Sequence, residues 1–351
     1  MTQSMREVPA TMRAAVLRSA MDVAVEERPV PALGPHDVLL EVSHCGVCGS
    51  DLHFILEGWG EPRDSIGGHE FSGRVAAVGD AVTRWKVGDE VVGGPSVRCG
   101  ECEYCRSLRP SLCTGRAAAG EHEFQGAFAD YVRQHEEELV RIPDGVSLRA
   151  AALAEPLAVA LHGLTQGGVR AGQRVLVCGC GPIGALSVAA ARARGVNDIV
   201  VSEPHPRRRA LAERLGAVAV EPETLVTPAS PSAIVDEPFQ VALECSGNRR
   251  AMQTALGQLA RAGTLVLVGA GIDPPRFDNN RILLNELVIT GAFVYDHDGF
   301  DRALELLARP DFPTDVLIES DDVPLEGLFD AAQQLGSGER AAKVLIVPKV
   351  S

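Results

Sequence analysis

Three sets of residues in this chain of 351 are of types and spacings that could do chemistry. Cys99, Cys102, Cys105 and Cys113 put four thiols in one short stretch. Four thiolates complete a tetrahedral zinc ion and leave no open position, so a metal held there is structural. Disulfides do not suit a reducing compartment, and the bacterial iron–sulfur run closes on a short gap followed by proline, which this stretch lacks. Gly179, Gly181 and Gly184 form a G-x-G-x-x-G turn after the apolar run Arg174-Val175-Leu176-Val177. In that setting the first glycine allows a tight turn, the second a close approach to a pyrophosphate, and the third tight helix–sheet packing. Pro182 and Ile183 open the helix whose free N–H groups would face the phosphates. Glu203 ends the next strand, where a carboxylate accepts the ribose hydroxyls, and Arg208 follows within Arg207-Arg208-Arg209.

The third set is looser. Cys45 and Cys48 have redox-pair spacing, but that motif belongs in a βαβ setting and this one lies in a β-rich region. A cysteine of this pair, His69 and one or both of Glu70 and Glu155 could make a catalytic zinc set with a position left for water or substrate. By spacing alone a His-Glu pair is more often a surface or a hydrogen-bonded core feature.

The elements that must position these groups change character near residue 150. Before it, short strand-like runs (Met12–Leu17, Val38–Val42, Phe71–Val78, Glu90–Val92) alternate with Gly, Pro and Asp turns. Ser147–Leu164 reads as one linking helix. From Arg174, strands at 174–177, 198–202, 217–220, 240–243, 264–268 and 287–290 alternate with helices such as Ile183–Ala193 and Arg207–Leu215. That is the pattern of a doubly wound parallel sheet. The helices Phe300–Leu307 and Leu328–Leu335 and the strand Lys343–Val347 return to the first region, because the six-strand sheet is complete by Thr290.

Hydrophobic residues make up 46% and charged residues 23%, ordinary for a globular protein, and aromatics only 4%, so the core is aliphatic. Net charge is −14, which disfavours a nucleic-acid or anionic-membrane partner. No apolar run reaches the roughly 20 residues of a membrane span. Met1–Pro9 has no signal-peptide core and reads as a loose tail, so a cytoplasmic location is expected. Lysine occurs only as Lys86, Lys343 and Lys349, which reads as composition rather than function.

Cys48-Gly49-Ser50-Asp51-Leu52-His53, Gly68-His69-Glu70, the four-cysteine stretch, Glu155-Pro156 and the Gly179–Gly184 turn occur in this order between about residues 45 and 203. Together they resemble the zinc-containing medium-chain dehydrogenases of the alcohol dehydrogenase superfamily, especially the sorbitol and threonine dehydrogenase branch. The resemblance implies an α/β protein: a GroES-like β-rich catalytic domain (1–155 and 295–351) and a Rossmann domain (156–294). It implies hydride transfer between a secondary alcohol or polyol, or its ketone, and NAD(H), with threonine-type amino alcohol oxidation as an alternative. Cys48, His69 and Glu70 would hold a catalytic zinc, and Glu155 would meet it directly or through water. One thiolate and one carboxylate would then neutralise the ion. Cys99, Cys102, Cys105 and Cys113 would hold a second zinc. Ser50 and His53 would relay the alcohol proton through the cofactor ribose to solvent; alternatively Ser50 is a helix N-cap. Cys45, Cys178, Cys180 and Cys245 would be packing residues.

NAD is expected over NADP, since Glu203 would repel a 2′-phosphate; an arginine near this point can hold a 2′-phosphate, but the three read more simply as a solvated face from which one, Arg208, pairs with the NAD ribose or pyrophosphate. A homodimer or homotetramer is expected, pairing at Leu287–Thr290. Phe54 and Phe293 would line the substrate pocket. Val294 stands where sorbitol-type relatives often have arginine, which opens the choice toward secondary alcohols, diols or amino alcohols. A non-catalytic NAD-binding protein would lack Cys48, His69 and Glu70, and a zinc-free enone or quinone reductase would lack both cysteine sets.

Overall fold

A computed structural model describes residues 8–59, 64–95, 98–115 and 125–349; most of the Met1–Pro9 tail lies outside them. From Arg174 the chain builds a parallel sheet. Its strand order is Val218–Val220, Asp198–Ser202, Arg174–Cys178, Phe239–Glu244, Leu259–Leu267, Val288–Gly291. The order reverses between Arg174–Cys178 and Phe239–Glu244, so the crevice above their C-terminal ends is the ligand position of a doubly wound sheet. Its strands are apolar on both faces, as a sheet covered by helices requires: Val175, Leu176, Val177, Ala242 and Leu243 are all buried.

The β-rich remainder forms two sheets. Thr11–Ser19 pairs with Asp22–Pro29 and Ser65–Ile66. The larger sheet centres on Asp37–Gly46, which pairs antiparallel with Glu70–Val78, Tyr131–His135 and Leu345–Val347. The C-terminal strand thus returns to the first region, and Leu345 lies opposite Gly46. That return sets Lys343 beneath the catalytic loops.

The expected single helix over Ser147–Leu164 is instead two, Leu148–Ala151 and Ala154–Gln166. Pro156 explains the break. It has no N–H, and its ring would clash with the carbonyl four residues back, so it is tolerated only in the first turn of a new helix. The break turns Glu155 into the buried first turn of the second helix. Among the described residues no helix is long and apolar enough to cross a membrane.

Candidate active site

Cys48 caps the short helix Gly49–Leu52, with Asp51 completing a capping box. The Cys48 N–H donates to Asp51 Oδ2 at 2.8 Å, which fixes the thiol at the loop tip. The expectation of Ser50 as N-cap is therefore corrected: Cys48 holds that place and Ser50 stands in the first turn, on the wall of the main cavity. A π-helical turn, His53–Glu57, follows; such turns are frequent at functional sites. It turns His53 into the same cavity, with Nδ1 2.9 Å from the Glu57 carboxylate and the ring stacked on Trp59 at 3.9 Å and 7°.

His69 is set by Gly68, whose φ of +86° suits glycine and whose Cβ would stand 2.8 Å from both Cys45 Sγ and the Phe128 ring. Asp51 Oδ1 lies 3.9 Å from His69 Nδ1. Ligand atoms of Cys48, His69 and Glu70 lie within 4.8 Å of one another. Glu155 is outside that group but lines the same cavity. Cys45 is buried and is not one of that group, and burial pushes its thiol well up.

Lys343 is the residue sequence reasoning missed. Its Nζ donates to Glu70 Oε1 at 2.7 Å and to the Val47 carbonyl at 3.0 Å. The pair is fully buried, with side-chain exposures of 1% and 0%. Nζ also lies 2.6 Å from Glu70 Oε2, yet that oxygen accepts no hydrogen bond of good geometry among the described residues. The charge count from sequence changes accordingly. Lys343 offsets the charge of Glu70, which leaves Glu155 as the second carboxyl group available to a metal in the cavity beside Cys48. Burial pushes Glu155 up to about 7, Glu70 and Asp51 adding to the rise while His69 and Lys343 oppose it. Burial works against a charged His69, but Cys48, Asp51 and Glu155 outweigh it and hold its pKa well above the ordinary value. One thiolate, one imidazole and carboxylates with an unpaired buried oxygen, together short of positive charge, fit a zinc ion.

The four-cysteine stretch closes on itself without a disulfide. Sγ separations are 3.5 Å for Cys99–Cys113, 4.0 Å for Cys99–Cys105 and 4.0 Å for Cys102–Cys113. A tetrahedron with zinc–sulfur bonds of about 2.3 Å has edges of roughly 3.8 Å, so the set fits zinc. Backbone N–H groups of Cys102 and Cys105 already point at Cys99 and Cys102 sulfurs, both at 3.4 Å. The Cys105 N–H holds the Cys102 thiol low, to about 5.

Across the cavity lies the glycine turn. A Cβ on Gly184 would sit 1.9 Å from the Gly179 carbonyl, and one on Gly179 2.8 Å from Ser246 Cβ. A Cβ on Gly181 would meet nothing within 4 Å, which is the open approach a pyrophosphate needs. Gly181 caps the helix Pro182–Ala193, so its free N–H groups face that space, and Ile183 lines the cavity. Glu203 is buried; Oε2 accepts from Cys180 N at 2.7 Å and Oε1 from His205 N at 2.9 Å. Each oxygen keeps a lone pair for a ribose hydroxyl.

Of the three arginines Arg207 is exposed, whereas Arg208 and Arg209 are half-buried. Arg207 donates to the Glu339 carbonyl, Arg208 to that of Leu335, and Arg209 to those of Glu203 and Pro204 and to Glu221. Arg207 and Arg208 thereby meet the negative end of the helix Leu328–Ser337, whose last turn holds Leu335 and beyond whose end stands Glu339. Cys178 and Cys180 are packing residues as expected, whereas Cys245 is half-buried and lines the cavity beside Ser246; burial raises all three thiols.

A β-rich part bearing two metal-compatible thiol sites, facing a dinucleotide cradle across one cavity, defines a metal- and nucleotide-dependent oxidoreductase. The comparisons with known proteins agree. Residues 34–144 match the alcohol dehydrogenase GroES-like domain, and residues 182–309 match the zinc-binding dehydrogenase family. Sorbitol dehydrogenase of Bacillus subtilis (strain 168) is 33% identical over 97% of this chain and 98% of its own. The solved 2R,3R-butanediol dehydrogenase of Bacillus subtilis superposes with a TM-score of 0.83 at 31% identity, covering 96% and 100% of the two chains. A zinc-binding dehydrogenase of Sinorhizobium meliloti 1021, solved bound to NADP, gives 0.84 at 29% identity, covering 97% and 100%. The chain belongs to the zinc-containing medium-chain alcohol dehydrogenase family. It is an oxidoreductase, with zinc and a nicotinamide dinucleotide as cofactors.

Proposed function

We propose that the protein transfers a hydride between a secondary alcohol or polyol and NAD, reversibly with the ketone. The observation that carries this reading is that one cavity is walled by both the Cys48–His69–Glu70 cluster and the nucleotide side, Ile183, Ser246 and Gly269. Cys48, His69 and Glu70 would hold the catalytic zinc, with Glu155 facing it directly or through water. Cys99, Cys102, Cys105 and Cys113 would hold the second. When bound, zinc supplies Lewis acidity to the alcohol oxygen and the nicotinamide accepts the hydride.

The chain's own groups do the rest. Asp51 orients His69 and the Cys48 loop, and Lys343 holds the Glu70 carboxylate in place in a buried position. Ser50 and His53 move the alcohol proton outward, His53 being held by Glu57 and Trp59 and partly open to solvent. Glu203 favours NAD, since a 2′-phosphate would meet its carboxylate.

Residues 1–155 with 295–351 would form the catalytic domain and 156–294 the nucleotide domain, a division supported by the pairing of Leu345–Val347 with Asp37–Gly46. A second copy would pair along the edge strand Val288–Gly291, beside the exposed Leu283, Leu284 and Val288. The unpaired cysteines suit the cytoplasm.

The test is NADH absorbance with a panel of alcohols, before and after chelation and zinc restoration. Turnover that chelation removes and zinc restores supports the reading; turnover indifferent to chelation refutes it.

A further inference from the structure

We infer that Glu57 is a positioning residue of the proton path: it holds His53 in the tautomer whose Nε2 can take a proton, and Trp59 fixes the plane of the ring that does so. The inference rests on the dehydrogenase reading and on His53 as the outer station of its proton path. The local chain builds the arrangement. The π-helical turn His53–Glu57 closes on Gly58, which has a left-handed φ of 72° and whose N–H donates to the His53 carbonyl. The Trp59 N–H donates to the same carbonyl at 3.1 Å, and the indole lies against the imidazole at 3.9 Å and 7°.

The first and last residues of the turn thereby meet, the Glu57 carboxylate lying 2.9 Å from His53 Nδ1. His53 and Trp59 line the cavity, and Glu57 does not. The Glu57 side chain is 50% exposed, that of His53 24%. The imidazole thus stands between the cavity and a carboxylate outside it. At so open a position the pair adds little to stability. Its effect is on which ring nitrogen carries the proton.

A carboxylate accepts hydrogen bonds and gives none, so the shared proton belongs to Nδ1. A neutral imidazole with Nδ1–H keeps Nε2 as its one acceptor. Among the described residues no group hydrogen-bonds Nε2, and that atom is not buried. The opposite tautomer would offer an N–H where a proton must arrive, and would set two acceptors, Nδ1 and the carboxylate, face to face. The step balances in protons and moves no electrons. Nε2 takes a proton, the ring becomes an imidazolium, and Nε2 passes a proton to water. The Nδ1–H bond to Glu57 persists throughout, and the carboxylate itself takes no proton. The transient cation lies beside a carboxylate and over an indole face, both of which attract it.

The experiment follows the NADH burst of the zinc-loaded enzyme in stopped flow, with NAD and the fastest alcohol of the panel. Glu57→Gln carries an amide that can donate to Nδ1 or accept from it, and so selects neither tautomer. It should slow the burst about tenfold, Glu57→Asp less, and His53→Ala about a hundredfold. The double variant Glu57→Gln/His53→Ala should be no slower than His53→Ala, because Glu57 acts only through the ring. Melting temperature and NADH affinity of Glu57→Gln should match the wild type. A readout independent of turnover is the ¹⁵N spectrum of histidine-labelled protein at a pH where the ring is neutral, the His53 signals being those lost in His53→Ala. The wild type should carry the proton on Nδ1, and Glu57→Gln should show both tautomers. A wild-type His53 with its proton on Nε2, a Glu57→Gln burst equal to the wild type, or losses that multiply in the double variant would overturn the inference and leave the dehydrogenase reading intact. No turnover of any alcohol by the wild type removes that reading, and the inference with it.

Discussion

Lys343→Met tests how the buried Lys343–Glu70 pair serves the metal site. The substitution keeps most of the side-chain volume and deletes the ammonium. It removes the bonds to Glu70 at 2.7 Å and to the Val47 carbonyl at 3.0 Å. Stripping one partner from a buried ion pair costs about 3–5 kcal/mol, and an unmet buried carbonyl about 1 more. Protein lacking the catalytic zinc should therefore lose about 4–6 kcal/mol of stability. With zinc at Cys48, His69 and Glu70, the cation takes up the exposed carboxylate charge, and the loss should fall to about 1–3 kcal/mol. By linkage, a difference of about 3 kcal/mol tightens zinc binding roughly 150-fold. Urea unfolding with and without the catalytic zinc, and competition against a chelator, measure both. Equal losses in the two forms, or weaker zinc binding by the variant, would refute the argument that Lys343 and the metal share one carboxylate.

Other outcomes follow from the remaining sites. Cys105→Ser should lower bound zinc by one per subunit and reduce the melting temperature, because binding energy at a closed site is folding energy; metal analysis and thermal unfolding check this. Glu203→Ala should move the ratio of kcat/KM from NAD toward NADP, since it removes the charge opposed to a 2′-phosphate, and a wild-type preference for NADP would contradict the role given to Glu203. Light scattering at micromolar concentration should give a dimer or tetramer, and a charged residue at Val288 should shift it toward monomer.

The glycine turn, the four cysteines and the six-strand sheet were legible because each is a local pattern. Asp198–Ser202 is the strand its apolar run foretold. Helices Arg249–Gly257 and Asn279–Asn285 were passed over, although Asn248 and Asp278 cap them with side-chain acceptors; that signal stands in the sequence. The Ser147–Leu164 segment misled because periodicity outweighed Pro156. Arg207 and Arg208 read as part of a solvated face because their partners, Glu339 and Leu335, lie over a hundred residues away in the chain. Lys343 was illegible for the same reason: its partner Glu70 lies 273 residues off, and a lone lysine carries no pattern. Trp59 lies just past the end of the turn that His53 opens, but nothing in residue type foretells a stack.

Zinc content and turnover of Cys48→Ala, measured on the same preparation, test the account most directly. Wild-type protein should carry two zinc ions per subunit and reduce NAD with a secondary alcohol. The variant should carry one, bind NADH nearly as before because the glycine turn stands on the other wall of the cavity, and form no NADH from alcohol. A variant that keeps both zinc ions, or keeps substantial turnover, would contradict the placement of the reaction at Cys48, His69 and Glu70.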